Sequence, residues 1–323
     1  LYPDDPSIGG ASYFQTLVDN VRYEDGYKAV KSFTERYPDI ADAWDVLAMC
    51  YLALGDPDNA AVAERKVREV DPTWALSASN SYWYNVGDLD KAIEFRKKDL
   101  SADNATDADR FYLLTDFTHN RHLPALNFEA GRYTEALRCL EEGRTYVGGD
   151  PSYWQYQMGI VLSAVGQGER ALEIALRMEK NDEIRSRLFA YRFKGHAQVA
   201  MGDTEGARAT AKHVHELARR IGPFMSFHAY RIEADAALAD NDPDAALTAL
   251  DAMCRINYGP FAGMLHVNTY DMLARAHHMA GHLDEAERLH KKILLIFGGH
   301  AISHYELGIV YEEMGRPEDA VPH

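Results

Sequence analysis

An alanine that follows a short turn recurs along the whole chain, and this repetition constrains the fold more than any other feature of the sequence. The alanines lie 31 to 44 residues apart. They are Ala29, Ala60, Ala92, Ala136, Ala171, Ala207, Ala246, Ala286 and Ala320. Such a period predicts a row of similar helical units, because a unit this short cannot bury an apolar face alone and must stack on its neighbours.

A residue that ends helices stands five positions before each of the last eight alanines. These residues are Gly55, Gly87, Gly131, Gly166, Gly202, Asn241, Gly281 and Gly315. Glycine and asparagine tolerate the left-handed conformation that terminates a helix. Twelve positions before the alanines stands a second residue, small in most units, with Pro124 as one exception. Each unit is therefore predicted to be a hairpin of two helices that approach closely at small residues.

The segment AWDVLAMCYLALGDPDNAAVAERKVREVDP, residues 43–72, shows the complete pattern of one unit. Its pattern positions are Trp44, Leu47, Ala48, Tyr51, Gly55, Ala60 and Pro72. They resemble the signature of the tetratricopeptide repeat family, and YELGIVYEEMGRPEDAV at residues 305–321 is a second match. The resemblance implies an all-α fold: a right-handed α-solenoid of about nine helical hairpins, with residues 1–323 forming a single solenoid.

Two places depart from the regular pattern. Extra sequence between Leu100 and Leu123 accounts for the longest separation. We expect a long first helix there that begins near Asp107 and is bent at Pro124, since an interior proline removes a backbone hydrogen bond. His323 falls inside the expected second helix of the last unit. That unit is therefore predicted to be truncated, with an uncovered apolar face that frays or self-associates, and the natural protein to continue.

Charge and composition limit the classes of partner. The chain carries 34 basic and 50 acidic residues, a formal charge of −16, which repels nucleic acid and anionic lipid surfaces. Its three cysteines are odd in number and far apart, as expected of buried structural thiols. The longest strongly apolar run, ILLIF at residues 293–297, is far shorter than the roughly 20 residues that cross a bilayer. We expect a soluble chain without membrane insertion; the compartment is left open, with the cytoplasm favoured.

Three short motifs match known functional sequence patterns in whole or in part, but the structural context or the further residues that those patterns need are missing. GQGERA at residues 166–171 fits a dinucleotide-binding pattern, yet it follows a helix rather than a strand. HELAR at residues 215–219 begins like a zinc-protease helix, but Arg219 replaces the second histidine. His300 and His304 have metal-ligand spacing without a third ligand at a predictable position. We therefore predict no catalytic residue, no metal and no cofactor.

In the family that the chain resembles, the first helix of each unit lines the concave surface. Two positions would then face a groove: the third before the small residue and the one directly after it. Arginine recurs three times at the first position, and a fourth arginine stands at the second. The candidate ligand-binding residues are Arg121, Tyr153, Tyr156, Arg192, His196, Arg231, Arg275 and Tyr305. Arginines on one face of an acidic chain would pair with carboxylates or phosphates. The alternative is that they are solvated or paired with neighbouring acidic residues.

These patterns predict a non-catalytic scaffold that binds a peptide or protein segment, with an acidic segment favoured, in its concave groove. Nucleic acid is an unfavourable partner. A second hypothesis is the regulatory or sensor region of a larger enzyme, such as a kinase or cyclase. The third, a remote one, is an all-α hydrolase, which would need only two suitably separated carboxylates.

Overall fold

The computed structural model of the chain describes residues 23–72, 82–103, 105–116, 122–146, 151–182, 184–222, 225–256, 262–296 and 298–320. Within these ranges the regular secondary structure is helical and contains no strand, which confirms the all-α prediction. None of the helices described there is long and apolar enough to cross a membrane. The chain divides into two compact units, Leu1–Ala105 with Lys291–His304 and Thr106–His290 with Tyr305–His323. A single solenoid over residues 1–323 stays a prediction.

The first unit is built around one well-formed hairpin. Its helices before residue 105 are α1 (Tyr23–Arg36), α2 (Ala41–Ala53), α3 (Pro57–Val70) and α4 (Leu89–Leu100). α2 packs on α1 and α3. Residues 82–86 are also helical and lead through Gly87 into α4. The Gly298 backbone N–H donates a hydrogen bond to Asn85 Oδ1 at 3.3 Å, so a segment from late in the chain lies against residues 84–87.

The second unit contains a series of hairpins whose first helices stand side by side. The remaining helices in chain order are α5 (Asp107–Thr115), α6 (Leu123–Glu129), α7 (Tyr133–Gly143), α8 (Pro151–Ala164), α9 (Gly168–Met178), α10 (Ile184–Ala200), α11 (Thr204–Ile221), α12 (Ser226–Ala239), α13 (Pro243–Ile256), α14 (Ala262–Met279), α15 (Leu283–Ile296), α16 (Ala301–Glu313) and α17 (Pro317–Ala320). α8 packs against α10, α10 against α12, and α12 against α14. These first helices therefore form one continuous surface. α17 contains no buried residue, and self-association through the last unit stays a prediction.

The predicted helix-ending residues all adopt the left-handed conformation. Their φ angles lie between 59° at Asn241 and 88° at Gly87. At Gly202 the backbone N–H donates to Val199 O, and the next N–H, of Asp203, donates to Gln198 O. The Asp203 carboxylate then accepts the Gly206 N–H at 2.9 Å and caps α11. A Gly-Asp pair thus ends one helix and begins the next.

The small residues that recur at regular spacing lie at close contacts between helices. Seven of the recurring alanines are fully buried, with 0% exposure: Ala60, Ala92, Ala136, Ala171, Ala207, Ala246 and Ala286. A Cβ added at Gly159 would collide with the ring of Phe193, and one added at Gly195 would meet the side chain of Ile232. Each of these contacts joins the first helices of neighbouring hairpins. The sequence predicts that the small residue lets the two helices of one hairpin approach closely. In the structure it also sets the distance between neighbouring hairpins.

The segment after Leu100 differs from the prediction. Helix α5 begins at Asp107 as expected, with Thr106 and Asp109 capping it through reciprocal hydrogen bonds. However, α5 ends at Thr115, and a separate helix, α6, carries Pro124 in its first turn. Proline is well tolerated there because the first N–H groups of a helix have no intrahelical acceptor. Pro124 starts a helix rather than bending one, so the predicted bend was wrong.

We expect replacement of Gly202 by alanine to lower the free energy of unfolding by about 1 kcal/mol, since a Cβ disfavours the left-handed conformation. Nothing lies within 4 Å of the position of that Cβ, so the cost is conformational rather than steric. Gly202→Asn should cost less, and Asn241→Gly should stabilise the protein, because Asn241 already occupies the equivalent position with φ 59°. Urea unfolding measures all three; equal effects of alanine and asparagine at position 202 would contradict the conformational explanation.

Gly195→Ala should destabilise the protein by about 1–3 kcal/mol, although alanine is the better helix former, because the new methyl group collides with Ile232. The same substitution in an Ile232→Ala background removes the collision and should cost much less. A double-mutant cycle of thermal or urea unfolding gives the coupling energy between the two positions. Additive effects would show that the helices are not packed at this distance.

Candidate binding surface

Four of the predicted groove positions lie on consecutive first helices of the second unit. The residues are Tyr156 on α8, Arg192 on α10, Arg231 on α12 and Asp271 on α14. Because these helices stand side by side, the four positions form a row across them. The charge of Arg231 contributes to the pKa of Tyr156 and to that of Asp271, which lie two helices apart. The repeat pattern therefore located a set of side chains that interact through space.

The ring of Tyr156 supports the guanidinium of Arg192. Arg192 Cζ lies 4.7 Å from the ring centroid, and Phe189 stacks on the same tyrosine at 4.8 Å. Tyr156 is only 1% exposed, and its hydroxyl has no hydrogen-bond partner among the described residues. Burial lowers the pKa of Arg192 and raises the pKa of Tyr156. The guanidinium lies over the tyrosine ring, a contact that leaves its N–H groups able to donate to another molecule.

Arg231 and His228 lie one turn apart on α12. The Nε of Arg231 is buried and has no hydrogen-bond partner within the described ranges. Burial, and then the charges of Arg192 and Arg231, hold the pKa of His228 well below its usual value, so this imidazole is neutral at pH 7. Neither arginine forms an ion pair with any residue in the part of the chain that the structure describes. We call Tyr156, Arg192, His228 and Arg231 the arginine cluster.

His196 has an acidic partner within the protein. Its Nδ1 lies 2.5 Å from Asp235 Oδ2, and both side chains are half-buried. Burial acts to raise the pKa of Asp235, but the charge of His196 and its hydrogen bond hold the value below the usual range. Asp235 lies on the helix of Arg231, and its carboxylate pairs with His196. The charge of Arg231 also acts on Asp235, so this pair borders the arginine cluster.

Asp271 forms the acidic end of the row. Burial raises the pKa of Asp271 to about 6, and Glu306 and Asp235 act in the same direction against the opposing charges of Arg275 and Arg231. Its Oδ1 has no hydrogen-bond partner among the residues described. Arg275 is exposed one turn further along the same helix. The row thus changes from positive charge at Arg192 and Arg231 to a carboxyl group at Asp271.

The other predicted ligand-binding residues are more dispersed. Tyr153 is half-buried on α8 among aromatic rings, 5.8 Å from Tyr112 and 6.5 Å from Tyr156 between centroids. Tyr305, on α16, is 67% exposed. Arg121 lies outside the described residues. The structure therefore brings Tyr153, Tyr156, Arg192 and Arg231 to neighbouring helices and leaves Tyr305 as a solvated ring.

Histidines with metal-like spacing have other partners in the structure. His300 Nδ1 lies 2.9 Å from Ser303 Oγ, and His304 Nε2 donates to Gly298 O at 2.8 Å. Across the described ranges, no three His, Cys, Asp or Glu side chains are placed to hold one metal ion. The cysteines are free thiols, buried at Cys50 and Cys139 and half-buried at Cys254, as the sequence predicted.

Comparison with known proteins supports the repeat assignment at both ends of the chain. Profiles of the tetratricopeptide repeat match residues 14–72 and residues 267–297. The chain therefore contains tetratricopeptide repeats in these two ranges. Proteins of this family are generally non-catalytic scaffolds for protein interaction. No curated protein matches the chain.

Solved structures similar to this tetratricopeptide repeat protein share little of its sequence. A tetratricopeptide repeat protein from Parabacteroides merdae is 12% identical over 84% of this chain and 98% of its own, with a TM-score of 0.47. The Cut9–Hcn1 hetero-tetramer of APC/C gives 16% identity over 85% of this chain and 50% of that chain, with a TM-score of 0.44. The tetratricopeptide repeat domain of P58(IPK) gives 15% identity over 96% and 89%, with a TM-score of 0.30.

The sequence prediction missed His228. This residue stands six positions before the small Ala234, and Tyr153 and Phe189 occupy the same position before Gly159 and Gly195. In a tetratricopeptide repeat hairpin, this position is about one turn before the groove-facing residue on the first helix. Its repeated aromatic character was therefore a signal, in the sequence, that one more ring borders the arginines.

We expect Asp271→Asn to raise the free energy of unfolding at pH 7.5 by about 2 kcal/mol. The folded pKa of Asp271, about 6, is above its unfolded value of about 4, so its ionisation lowers stability as pH rises from about 4 to 6. The gain should therefore disappear near pH 4. Urea unfolding between pH 4 and pH 7.5 measures it, with Asp251→Asn, at an exposed ion pair with Arg255, as the control. A gain independent of pH would contradict the burial of this carboxyl group.

Proposed function

We propose that this tetratricopeptide repeat protein is a non-catalytic scaffold whose first-helix surface, in the unit of Thr106–His290 with Tyr305–His323, binds an acidic peptide or protein segment. The arginine cluster is the centre of the surface. Arg192 and Arg231 contact acidic groups of the partner, while Tyr153 and Tyr156 supply aromatic surface beside them.

The observation that carries the proposal is the absence of an ion pair at Arg192 and Arg231 among the described residues. Arginines on the second helices of the hairpins show the contrast, since Arg138, Arg208 and Arg255 each lie within 3.1 Å of an acidic oxygen. Both arginines are half-buried, and a half-buried guanidinium without a counter-ion loses part of its solvation without a compensating attraction. An acidic group of a partner would supply that attraction, and in a desolvated site the resulting pair is stronger than one at the surface.

Local charge distinguishes this surface from the rest of the molecule. With a formal charge of −16, the chain repels an acidic partner at most approaches. Nucleic acid, which carries charge along its whole length, would meet that repulsion over a wide area. A short segment can place one or two acidic groups on the arginine cluster and keep the rest of its length uncharged. The proposal therefore favours a protein segment over a nucleic acid.

Reversal of both arginines, Arg192→Glu with Arg231→Glu, should weaken the binding of a fluorescently labelled oligoglutamate peptide about 30-fold, or about 2 kcal/mol. Fluorescence anisotropy at low salt measures the affinity, and added salt should weaken the native complex. Circular dichroism should show unchanged helix content, because the charged groups contribute no helix hydrogen bonds.

The matched control is Arg138→Glu with Arg255→Glu, which changes the net charge by the same amount on second helices. Both residues are exposed, with 55% and 76% of their side-chain surface accessible. We expect less than a threefold change in affinity for the control. Equal weakening by both double variants would show that the peptide responds to total charge, and the proposal would then be wrong.

A further inference from the structure

We infer that the acidic group bound by the arginine cluster is a phosphoryl dianion carried by a phosphorylated side chain of the partner. This inference rests on the proposed function and makes its ligand specific. It follows from the number of charges and hydrogen-bond donors that the structure collects between α8, α10 and α12.

The charge of the cluster matches a dianion. Arg192 and Arg231 contribute two positive charges, and His228, which is neutral, contributes none. The arginines are close enough that the charge of Arg231 acts, after burial, to lower the pKa of Arg192. One carboxylate would leave a net positive charge between them. A phosphorylated side chain carries close to two negative charges at pH 7 and would neutralise both.

The acidic groups of the protein near the cluster are engaged elsewhere. Asp235 pairs with His196 at 2.5 Å. Asp116 accepts a hydrogen bond from Gln157 Nε2 at 3.3 Å, and its other oxygen lies 3.7 Å from His122 Nδ1. Neither carboxylate forms an ion pair with Arg192 or Arg231, although the charges of Asp235 and Asp271 act on Arg231 over a longer distance. A direct ion-pair partner for the two arginines would therefore come from another molecule.

The available donor groups also outnumber the two oxygens of a carboxylate. The edge of the Arg192 guanidinium, the buried Nε of Arg231 and the buried hydroxyl of Tyr156 have no partner among the described residues. They belong to three different helices, α8, α10 and α12. A carboxylate presents two oxygens, whereas a phosphoryl group presents three. A phosphoryl group, which has three oxygens, can therefore accept hydrogen bonds from all three helices better than a carboxylate can.

The test compares two ligands that differ in the acidic group alone: end-blocked phosphoserine and end-blocked glutamate. Calorimetric titration at pH 7.5 should give at least tenfold tighter binding of phosphoserine. Arg192→Gln and Arg231→Gln should each reduce that affinity at least tenfold, whereas Arg255→Gln, on the exposed pair with Asp251, should change it less than twofold.

Tyr156→Phe separates ligand binding from folding. The variant keeps the ring under Arg192 and removes only the hydroxyl, so the protein should become more stable, because a buried unpartnered hydroxyl is costly. The affinity for phosphoserine should nevertheless fall three- to tenfold, and that for glutamate should stay unchanged. Thermal unfolding and titration of the same sample give both results. Unchanged phosphoserine affinity would remove the hydroxyl from the site and overturn the three-donor assignment.

Each remaining outcome has a distinct meaning. Glutamate binding as tightly as phosphoserine, with the same dependence on Arg192 and Arg231, overturns the phosphoryl inference and leaves the proposed function standing. Loss of arginine dependence for both ligands overturns both. Adenosine monophosphate binding more tightly than phosphoserine identifies the phosphoryl group as that of a nucleotide and overturns the assignment to a protein side chain.

Discussion

The structure depends on how closely helix backbones approach at glycine and alanine. At Gly159 and Gly195 a neighbouring first helix comes so near that a single methyl group would collide with Phe193 or Ile232. Apolar side chains around each small residue are then buried, and their dispersion contacts act over the whole helix length. The same approach determines how far apart the groove-facing residues of successive helices stand. The close approach of helices at small residues therefore determines both the packing of the core and the spacing of side chains on the candidate binding surface.

Much of this fold follows from local rules that a sequence displays directly. A left-handed residue is needed wherever a helix ends and turns sharply, so Gly202 and Asn241 are visible without any structure. The case of Pro124 shows the limit. Proline is compatible with a helix start and with a kink, and here the described residues decide: α5 ends at Thr115, and α6 begins at Leu123, directly before Pro124. Which residues are buried, and which groups they contact, depends on residues far away in the sequence. The sequence around Pro124 alone therefore could not distinguish a helix start from a kink.

Repeat spacing predicted which side chains of the candidate surface are neighbours, but it did not predict their electrostatics. Repeat spacing placed Tyr156, Arg192 and Arg231 on one face because identical positions in stacked units are neighbours in space. Spacing does not reveal which acidic residue is already engaged. His196 and Asp235 satisfy each other, and the arginines do not share in that pair. Rotamers and distances across helices determine such pairings, and small changes in them alter which charge is left uncompensated.

The contact between Gly298 and Asn85 has a consequence for folding. A repeat array that uses only neighbouring contacts can form progressively as the chain leaves the ribosome, because each hairpin needs only the one before it. Here residues 213 positions apart in sequence are joined by a hydrogen bond inside one compact unit. That unit cannot be completed until the segment that contains Gly298 has been synthesised. Its late closure would give this array a higher contact order, and slower folding, than its helical content alone suggests.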